Sequence, residues 1–531
     1  MNQNLVRNKE DNLNKMSNNV KTSTFINFIL KEKSLILILI LALIVRISHL
    51  LKNFPLWWDS YVYIGMAKYI YSLGQIGLWE SLRPLVWPVI LGFFWKLNFP
   101  LLLTIKVFDV IFSLISIILV YKICEKYFSK ITADLASLIF AITPLYTVFV
   151  GLALTEPLSL CFATLALYFF LDKSKKYHLY FTGLFIGLAF LTKYPLGILL
   201  PAFIITQLLS SDYNINNVHE KFFSKNNLYN KIKQITKLTL SFIITIAPYL
   251  ILNQILYSNM LEPFIKGTSI MNTQTWLYSG DVWFYFTEFI HANKLFLFIY
   301  FALLIFIFKK QWKDEKYLIM VISSAMIIAY FSFSVARKEV RYMTLALPFL
   351  SILIADIVYL AYSYLSKFRK AIIRPQALLF IFTVLIILTQ LDVANNLVYD
   401  HDSSPIIDND NFDGVEEVIA LMQEENRGVG VFASNPALML CLDKRMIPTS
   451  NMYEASQIYL WQEENFNYIY LDSCDFRCQD TDFECINSTE EFYNLVKFNN
   501  ELVFESNNEQ TRHTSTYVYD YNCTIQVYKK Y

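Results

Sequence analysis

The chain has 531 residues, of which 55% are hydrophobic and 17% are charged, and its formal net charge is +1. Soluble domains average about 45–50% apolar and about 25% charged residues, so this composition excludes an ordinary soluble globular protein. The apolar residues form runs of roughly 15–22 residues, the length that crosses a hydrocarbon core of about 30 Å. The clearest runs cover 34–51, 101–121, 238–256, 317–335 and 342–365. We expect a polytopic α-helical membrane protein with about eleven spans.

The charges divide the chain into three parts. Residues 392–531 contain 25 acidic and 8 basic residues, a net charge of −17, whereas residues 1–391 contain 19 acidic and 37 basic residues, a net charge of +18. The hydrophobic runs end at the same break. The predicted organisation is therefore a basic tail over 1–33, a transmembrane domain over 34–391 and a small acidic α/β domain over 392–531.

The basic loops predict which side of the membrane each part faces. If the basic tail is cytoplasmic and the first apolar run is a retained span, each later run reverses the side. The loops that then share the side of the tail are all basic, as cytoplasmic loops are; they cover 122–130, 172–178, 211–236, 309–316 and 366–376. We therefore expect a protein of the cell membrane with a cytoplasmic N-terminus and an extracytoplasmic C-terminal domain.

The external loop over 53–83 carries an acid among aromatic residues. Asp59 follows two tryptophans and precedes Tyr63, and a carboxylate held at the membrane surface can act as a general base on a hydroxyl group. The alternative is a solvated aspartate beside an interfacial aromatic belt. Glu80 and Arg83 end the same loop, where the arginine can bind a phosphate or simply pair with the glutamate.

Two short turns on the same side also carry charges beside apolar runs. Glu156 lies in the first turn, where it can either belong to a site or stabilise the N-terminus of the next helix. Lys193 and Tyr194 lie in the second turn, which is otherwise apolar. Ionisable groups next to spans are usually functional, so all three are candidate site residues.

A basic cluster over 337–341 departs from the charge pattern of the other loops. It contains Arg337 and Arg341 and is followed by Tyr342. Cations are scarce on this side of the membrane, so their placement needs a reason. An anionic ligand such as a phosphate is one explanation, and anchoring at the membrane interface is the other.

The C-terminal domain has the pattern of an α/β fold, with a helix over 414–423 and strands over 428–433, 468–471, 502–506 and 524–528. It contains five of the seven cysteines of the chain, namely Cys441, Cys474, Cys478, Cys485 and Cys523. Three of them cluster in an Asp-rich loop, which suggests a disulfide of undetermined pairing, with a zinc site as the alternative. We see no nucleophile–base pair or phosphate loop here, and we expect a structural or substrate-gripping lid.

The order of these motifs resembles that of the GT-C superfamily of glycosyltransferases, in the branch of protein O-mannosyltransferases and bacterial aminoarabinose transferases. The resemblance covers most of residues 34–365. It is carried by Arg46, Asp59-Ser60-Tyr61-Val62-Tyr63, Arg83-Pro84, Ala153-Leu154-Thr155-Glu156-Pro157, the Gly187 to Pro195 segment, and Glu339-Val340-Arg341-Tyr342. Ser60 departs from the pattern, because many relatives have a second acid at this position.

The resemblance implies an inverting transfer of a hexose or pentose from a polyprenyl- or dolichyl-phosphate donor. The acceptor would be an extracytoplasmic protein, lipid or glycan. Asp59 would be the general base, and Glu156 would bind the acceptor, the sugar or a metal ion. Lys193, Arg337 and Arg341 would hold the donor phosphate.

The implied chemistry needs no nucleotide cofactor and no nucleic acid partner, and it leaves open a divalent cation bound by Asp59 and Glu156. A transporter or flippase of a lipid-linked sugar is the main alternative, since it would use the same cations without a base. Transporters commonly contain internal repeats and charges near the bilayer midplane. The sequence shows no repeat, which favours the transferase.

Overall fold

The computed structural model describes a helical membrane domain followed by a small sheet domain. The described residues are 32–52, 56–210, 225–273, 280–287, 314–367, 375–397, 419–420, 422–423, 430–434, 436–448, 466–473, 483–513 and 518–531. All structural statements below concern these residues.

The membrane domain consists of helices that form in the apolar runs. They are α1 (Lys33–Leu50), α2 (Trp58–Tyr71), α3 (Val86–Lys96), α4 (Leu101–Tyr127), α5 (Lys130–Ile142), α6 (Glu156–Leu171), α7 (His178–Thr192), α8 (Leu199–Leu209), α9 (Lys225–Tyr257), α10 (Glu262–Thr273), α11 (Glu315–Ala329), α12 (Leu347–Leu365) and α13 (Pro375–Leu397). Short helical turns lie at Pro144–Thr147, Tyr194–Ile198, Tyr330–Ser334 and Val340–Ala346. The last helix continues past the predicted domain boundary at residue 391.

Within the described ranges, five segments are long and apolar enough to cross a membrane. They are Lys33–Leu50, Leu101–Tyr127, Leu228–Tyr257, Glu315–Ser334 and Val340–Tyr364, and each coincides with one of the five clearest apolar runs. Shorter apolar helices such as α6 and α7 pack among them. The chain is therefore an integral membrane protein, while the number of about eleven spans stays a prediction.

Small residues allow the helices to approach one another closely. A Cβ atom at Gly183 of α7 would lie 2.2 Å from the backbone oxygen of Leu238 on α9, and one at Gly187 would lie 2.8 Å from the side chain of Thr245. Close approach of this kind is how membrane helices gain packing contacts in a solvent as apolar as their own surfaces.

Residues of the basic loops and Glu156 lie at opposite ends of the helix bundle. Lys126 at the end of α4 pairs with Asp172 just after α6 at 2.6 Å, and Lys173 pairs with Glu315 at 2.6 Å. Glu156 begins α6, so the length of that helix, roughly 24 Å, separates it from this basic end. The described parts of the loops over 122–130, 172–178 and 309–316 therefore share one end of the bundle.

The external loop over 53–83 contains a helix of 14 residues, which the sequence analysis did not predict. Helix α2 occupies Trp58–Tyr71, and the Ser60 hydroxyl accepts a hydrogen bond from the Trp57 backbone N–H at 3.2 Å. Residues 60–68 are all buried, so this helix is enclosed by protein although it is too short to span a membrane. Asp59 lies in its first turn, where the helix dipole favours a carboxylate.

The C-terminal domain contains one five-stranded mixed sheet in the order β2-β1-β3-β5-β4. The strands are β1 (Gly430–Ala433), β2 (Met446–Pro448), β3 (Phe466–Asp472), β4 (Asn500–His513) and β5 (Val518–Lys530). The three strands β2, β1 and β3 run parallel, and β5 is antiparallel to both β3 and β4. Four of these strands were predicted, and the short strand β2 was not.

Alternate residues of the sheet face two different surroundings, as the two-residue repeat of a strand requires. Val431, Tyr470 and Val527 join the core that continues into the membrane domain. On the other face, Phe432 and Leu471 pack against helix α14 (Phe483–Asn499). The sheet therefore packs between helix α14 on one face and the core of the membrane domain on the other.

Only some of the cysteines for which a role is predicted lie among the described residues. Cys485 lies on α14 and not in a loop, which corrects the prediction, and it is disulfide-bonded. Cys441 has a free thiol. Cys474, Cys478 and most of the predicted helix over 414–423 lie outside the described residues, as does the side chain of Cys523.

Candidate active site

Two arginines hold the carboxylate of Asp59 at the N-terminus of α2. Arg83 Nη1 lies 2.9 Å from Asp59 Oδ1, and Arg341 Nη1 lies 3.1 Å from Asp59 Oδ2. The other side of Arg83 pairs with Glu80 at 2.8 Å, and the other side of Arg341 pairs with Glu339 at 2.5 Å. Residues from three distant parts of the sequence thus form one continuous ionic network.

Glu339 is a central member of this network, although the sequence analysis did not select it as a site residue. Its Oε1 atom accepts hydrogen bonds from Arg337 Nε at 2.6 Å and from the Tyr342 hydroxyl at 2.9 Å. Its Oε2 atom faces Arg341. One buried carboxylate therefore fixes both arginines of the 337–341 cluster and the tyrosine that follows it.

Glu156 forms a second ion pair beside the network. Its Oε1 atom lies 2.6 Å from Lys193 Nζ, and only 1% of its side chain is exposed. Its Oε2 atom is buried and has no hydrogen-bond partner among the residues that the structure describes. Helix α6, which Glu156 begins, also contacts the Val340–Ala346 turn that carries Arg341, so the pair belongs to the same site.

The turn before Glu156 is held in an unusual backbone conformation. Gly151 has φ = +92° and Ala153 has φ = +56°, a region that residues with a side chain rarely adopt. Asp109 Oδ2 accepts a hydrogen bond from the Gly151 N–H at 2.9 Å, and Trp87 Nε1 donates to the Ala153 oxygen at 2.9 Å. Side chains from α4 and α3 thereby fix the position of Glu156.

The arginines determine the charge state of the carboxylates. Burial alone would raise the pKa of the Asp59 carboxyl, but Arg83 and Arg341 outweigh it and hold that pKa far below its usual range. Burial would also raise the pKa of Glu339, and Arg341 and Arg337 bring it below its usual value. Both acids are therefore ionised, and Asp59 is a weak base while two arginines face it.

The site contains four acidic and four basic side chains. Each cation is paired with a carboxylate, and the expected contact with a donor phosphate stays a prediction. The acids are Asp59, Glu80, Glu156 and Glu339, and the bases are Arg83, Lys193, Arg337 and Arg341. Charges in poorly solvated surroundings need such partners.

The remaining predicted residues differ in how close they are to this network. The ring of Tyr63 faces the guanidinium of Arg83 at 5.9 Å. The hydroxyl of Tyr194 instead forms a hydrogen bond with Tyr249 at 2.5 Å, within an aromatic cluster. Lys338 turns away from the site, and its ammonium donates to three backbone oxygens at the end of the Tyr330–Ser334 turn.

A metal ion in this site would need ligands from acidic, histidine or cysteine side chains. Among the residues that the structure describes, no group of three or more His, Cys, Asp and Glu side chains could hold one. A divalent cation bound through Asp59 or Glu156 would therefore need water or substrate as further ligands, as Mg²⁺ commonly has. A metal in this site stays an expectation.

Comparison with known proteins supports the class that this geometry suggests. Residues 82–224 match the family described as dolichyl-phosphate-mannose-protein mannosyltransferase. No curated protein matches the chain by sequence. The fold is similar to that of ArnT from Cupriavidus metallidurans bound to undecaprenyl phosphate, with a TM-score of 0.59, 12% identity, and coverage of 93% of this chain and 98% of that one.

Two structures of an archaeal enzyme also share the fold. The oligosaccharyltransferase of Archaeoglobus fulgidus tethered to an acceptor peptide aligns with a TM-score of 0.54, 13% identity, and coverage of 93% of this chain and 74% of that one. The oligosaccharyltransferase AglB of the same organism, in complex with an inhibitory peptide and a dolichol-phosphate, aligns with a TM-score of 0.51, 12% identity, and coverage of 92% and 74%.

The helical fold is shared with these membrane glycosyltransferases, and it supports the predicted resemblance to the GT-C superfamily. The sequence match to the dolichyl-phosphate-mannose-protein mannosyltransferases covers residues 82–224, which is less than half of the chain. The predicted resemblance is thereby confirmed for the fold.

Proposed function

We propose that this protein transfers a sugar from a polyprenyl- or dolichyl-phosphate donor to an extracytoplasmic acceptor, with Asp59 as the general base. The observation that carries this is the position of Asp59 between Arg83 and Arg341. A carboxylate and a pair of guanidiniums next to each other are what the reaction needs, namely a proton acceptor and a phosphate clamp. The family match and the lipid phosphates bound by ArnT and AglB support the same donor class.

Donor binding would activate the base in this scheme. Arginine binds phosphate oxygens in pairs, so a lipid phosphate can replace Asp59 as the partner of Arg83 and Arg341. Because these two arginines are what depress the pKa of Asp59, their transfer to the phosphate would bring that pKa back toward its ordinary value. Asp59 would then become a stronger base only when the donor is in place.

The chemical step follows from this exchange. The acceptor hydroxyl attacks the anomeric carbon from the side opposite the phosphate and gives its proton to Asp59. The bond from the anomeric carbon to the phosphate oxygen breaks, and its electron pair leaves with the lipid phosphate. Arg83 and Arg341 stabilise the charge that develops on that oxygen, as donors prearranged for a transition state do. Attack opposite the leaving group inverts the anomeric configuration.

Glu156 would orient the sugar or the acceptor. Its Oε2 atom is buried and unpartnered, and a buried carboxylate oxygen without a donor is energetically costly. A hydroxyl group of either substrate would supply that donor. The ion pair with Lys193 at 2.6 Å holds the carboxylate in position for this contact.

The membrane orientation expected from the charge pattern determines the side on which transfer would occur. The site lies at the end of the bundle opposite the basic loops. If those loops are cytoplasmic, as such loops usually are, transfer occurs on the outer side of the cell membrane. The C-terminal domain lies on that side too.

Comparison of donors tests this function. Purified protein in lipid vesicles would be mixed with solubilised membranes of its source cells as acceptor. Tritiated mannose would be supplied on dolichyl phosphate in one reaction and on guanosine diphosphate in the other. We expect transfer only from the lipid donor, in wild type and in the distant control Asp314→Asn, whose exposed carboxylate lies at the basic end beside Lys316. Equal transfer from the nucleotide donor would contradict the proposed function.

A further inference from the structure

The C-terminal domain contacts the helix that carries Asp59. Lys68 lies on α2 and is almost fully buried. Its ammonium donates to the backbone oxygen of Met439 at 2.7 Å and to Asp443 Oδ1 at 2.9 Å. Both partners belong to the C-terminal domain. A buried ammonium depends on such partners, because an unpaired charge in a poorly solvated place is strongly destabilising.

The segment after α2 joins the sheet of the same domain. Gly77 forms a parallel bridge with Arg445: its N–H donates to the Lys444 oxygen at 2.9 Å, and its own oxygen accepts from the Met446 N–H at 2.8 Å. Gly77 has φ = +95°, and a Cβ atom there would lie 2.2 Å from the backbone oxygen of Gly65. Only glycine fits this position, so the bridge extends the edge strand β2 toward α2 in a defined geometry.

A third contact involves the backbone of α2 itself. A Cβ atom at Gly65 on α2 would lie 2.5 Å from Leu78 Cγ and 3.1 Å from Met439 Cγ. The 3-10 turn Pro436–Leu440 therefore packs directly on the backbone of α2. The interface between the C-terminal domain and α2 is therefore close-packed and buried, and it includes an ion pair.

These three contacts hold the same helix whose first turn carries Asp59. Lys68 lies nine residues after Asp59, a separation of about 13 Å along a helix. An α-helix of this length moves as a rigid rod, so a force on one turn reaches the other. On its opposite side α2 packs on α3, where a Cβ atom at Gly92 would lie 2.6 Å from the Ala67 oxygen.

We propose that the C-terminal domain is a positioning element of the active site, which sets the place of Asp59 by clamping α2 through Lys68. This role presupposes the proposed function, in which Asp59 is the base. It gives a specific task to the structural role that the sequence analysis expected, and it differs from the alternative of a substrate-gripping lid, which would act on the substrate and not on the base. Lys68 is then a positioning residue and not a catalytic one.

Substitution of Lys68 tests the clamp. In the full-length protein, Lys68→Met removes both hydrogen bonds at nearly constant length. Asp443→Lys is the second variant: it repels Lys68 from an exposed surface position and leaves the core intact. Lys173→Met is the matched control, because it removes a lysine ion pair at the basic end of the bundle. Each is measured for cleavage of dolichyl-phosphate mannose and for hydrogen exchange of residues 58–71.

We expect the kcat of Lys68→Met to fall about ten- to a hundred-fold, the size expected when a reacting group moves by about 1 Å. The KM for dolichyl-phosphate mannose should change by less than about two-fold, because Lys68 does not contact the ionic network. Asp443→Lys should change kcat in the same direction by a smaller factor. Hydrogen exchange in α2 should rise in both variants and stay unchanged in Lys173→Met.

The same substitution in the Asp59→Asn background separates this role from the proposed function. If Lys68 acts through Asp59, its effect should shrink to less than about two-fold there. An equal loss in both backgrounds, or a normal kcat in Lys68→Met and Asp443→Lys, would overturn the positioning role and leave Asp59 as the base. A normal rate in Asp59→Asn alone would instead refute the base, and the positioning role would fall with it.

Discussion

Replacement of Asp59 by asparagine should strengthen the binding of a lipid phosphate while it slows the reaction. In the structure, Asp59 occupies the two guanidiniums that the phosphate needs, at 2.9 Å from Arg83 and 3.1 Å from Arg341. The carboxylate is thus a competitor of the donor as well as its base. The usual effect of removing a binding-site residue, a weaker complex, is not expected here.

The size of the effect follows from the charges. Only 19% of the Asp59 side chain is exposed, and unit charges about 4 Å apart attract by roughly 4 kcal/mol at an effective dielectric constant of about 20. The net worth of a hydrogen bond to a charged group is smaller, about 1.5–3 kcal/mol. Asparagine keeps one neutral oxygen for the arginines, so we expect a gain near the lower value. The dissociation constant should fall about ten-fold.

Binding of dolichyl phosphate to the purified protein in detergent measures this directly by calorimetry. Asp314→Asn serves as the control, since it removes an exposed carboxylate far from the site. Unchanged affinity in Asp59→Asn would mean that phosphate and carboxylate do not share the arginines. Weaker affinity would mean that Asp59 itself helps to hold the donor, and either result would refute the exchange.

Three further changes have defined outcomes. Arg341→Lys should weaken dolichyl phosphate binding several-fold, because lysine is a point charge and cannot hold two oxygens, and Arg341→Ala should weaken it more, about 10- to 100-fold; equal binding in both would return Arg341 to an anchoring role. Trp87→Phe replaces the indole by a smaller aromatic ring and loses the hydrogen bond to Ala153, so kcat should fall several-fold with folding intact, as followed by size-exclusion chromatography and donor cleavage; a normal kcat would show that Glu156 needs no such support. Protease treatment of right-side-out vesicles should digest residues 392–531, and full protection would reverse the predicted orientation.

The sequence predicts the long apolar helices and several of the charged residues that the structure brings together, because both depend on local composition. The five clearest apolar runs are the five long helices. The described parts of three basic loops lie at one end of the bundle, while Asp59, Arg83 and Arg341 meet at the other. A charge beside an apolar run is costly wherever it lies, so its presence is a signal that needs no knowledge of the fold.

The features that the sequence did not reveal depend on distant contacts. Helix α2 is not apolar enough to resemble a span, and it is buried only because other parts of the chain cover it. Glu339 lies between Arg337 and Arg341 in the sequence, and the sequence analysis selected these two arginines but not the glutamate. Asp109 was overlooked even though it is an acid inside an apolar run, which is a strong signal by itself. The pairing of every cation with a carboxylate could not be predicted, since it requires three-dimensional neighbours.

The rate of donor cleavage by Asp59→Asn tests the central claim most directly. Wild type, Asp59→Asn and Asp314→Asn would be compared at saturating dolichyl-phosphate mannose with solubilised source-cell membranes as acceptor, so that differences in affinity do not enter. Because a positioned general base typically contributes 10²–10⁴-fold, turnover in Asp59→Asn should fall by about that factor while Asp314→Asn keeps the wild-type rate. A normal turnover in Asp59→Asn would show that this carboxylate only neutralises Arg83 and Arg341, and it would contradict the proposed mechanism.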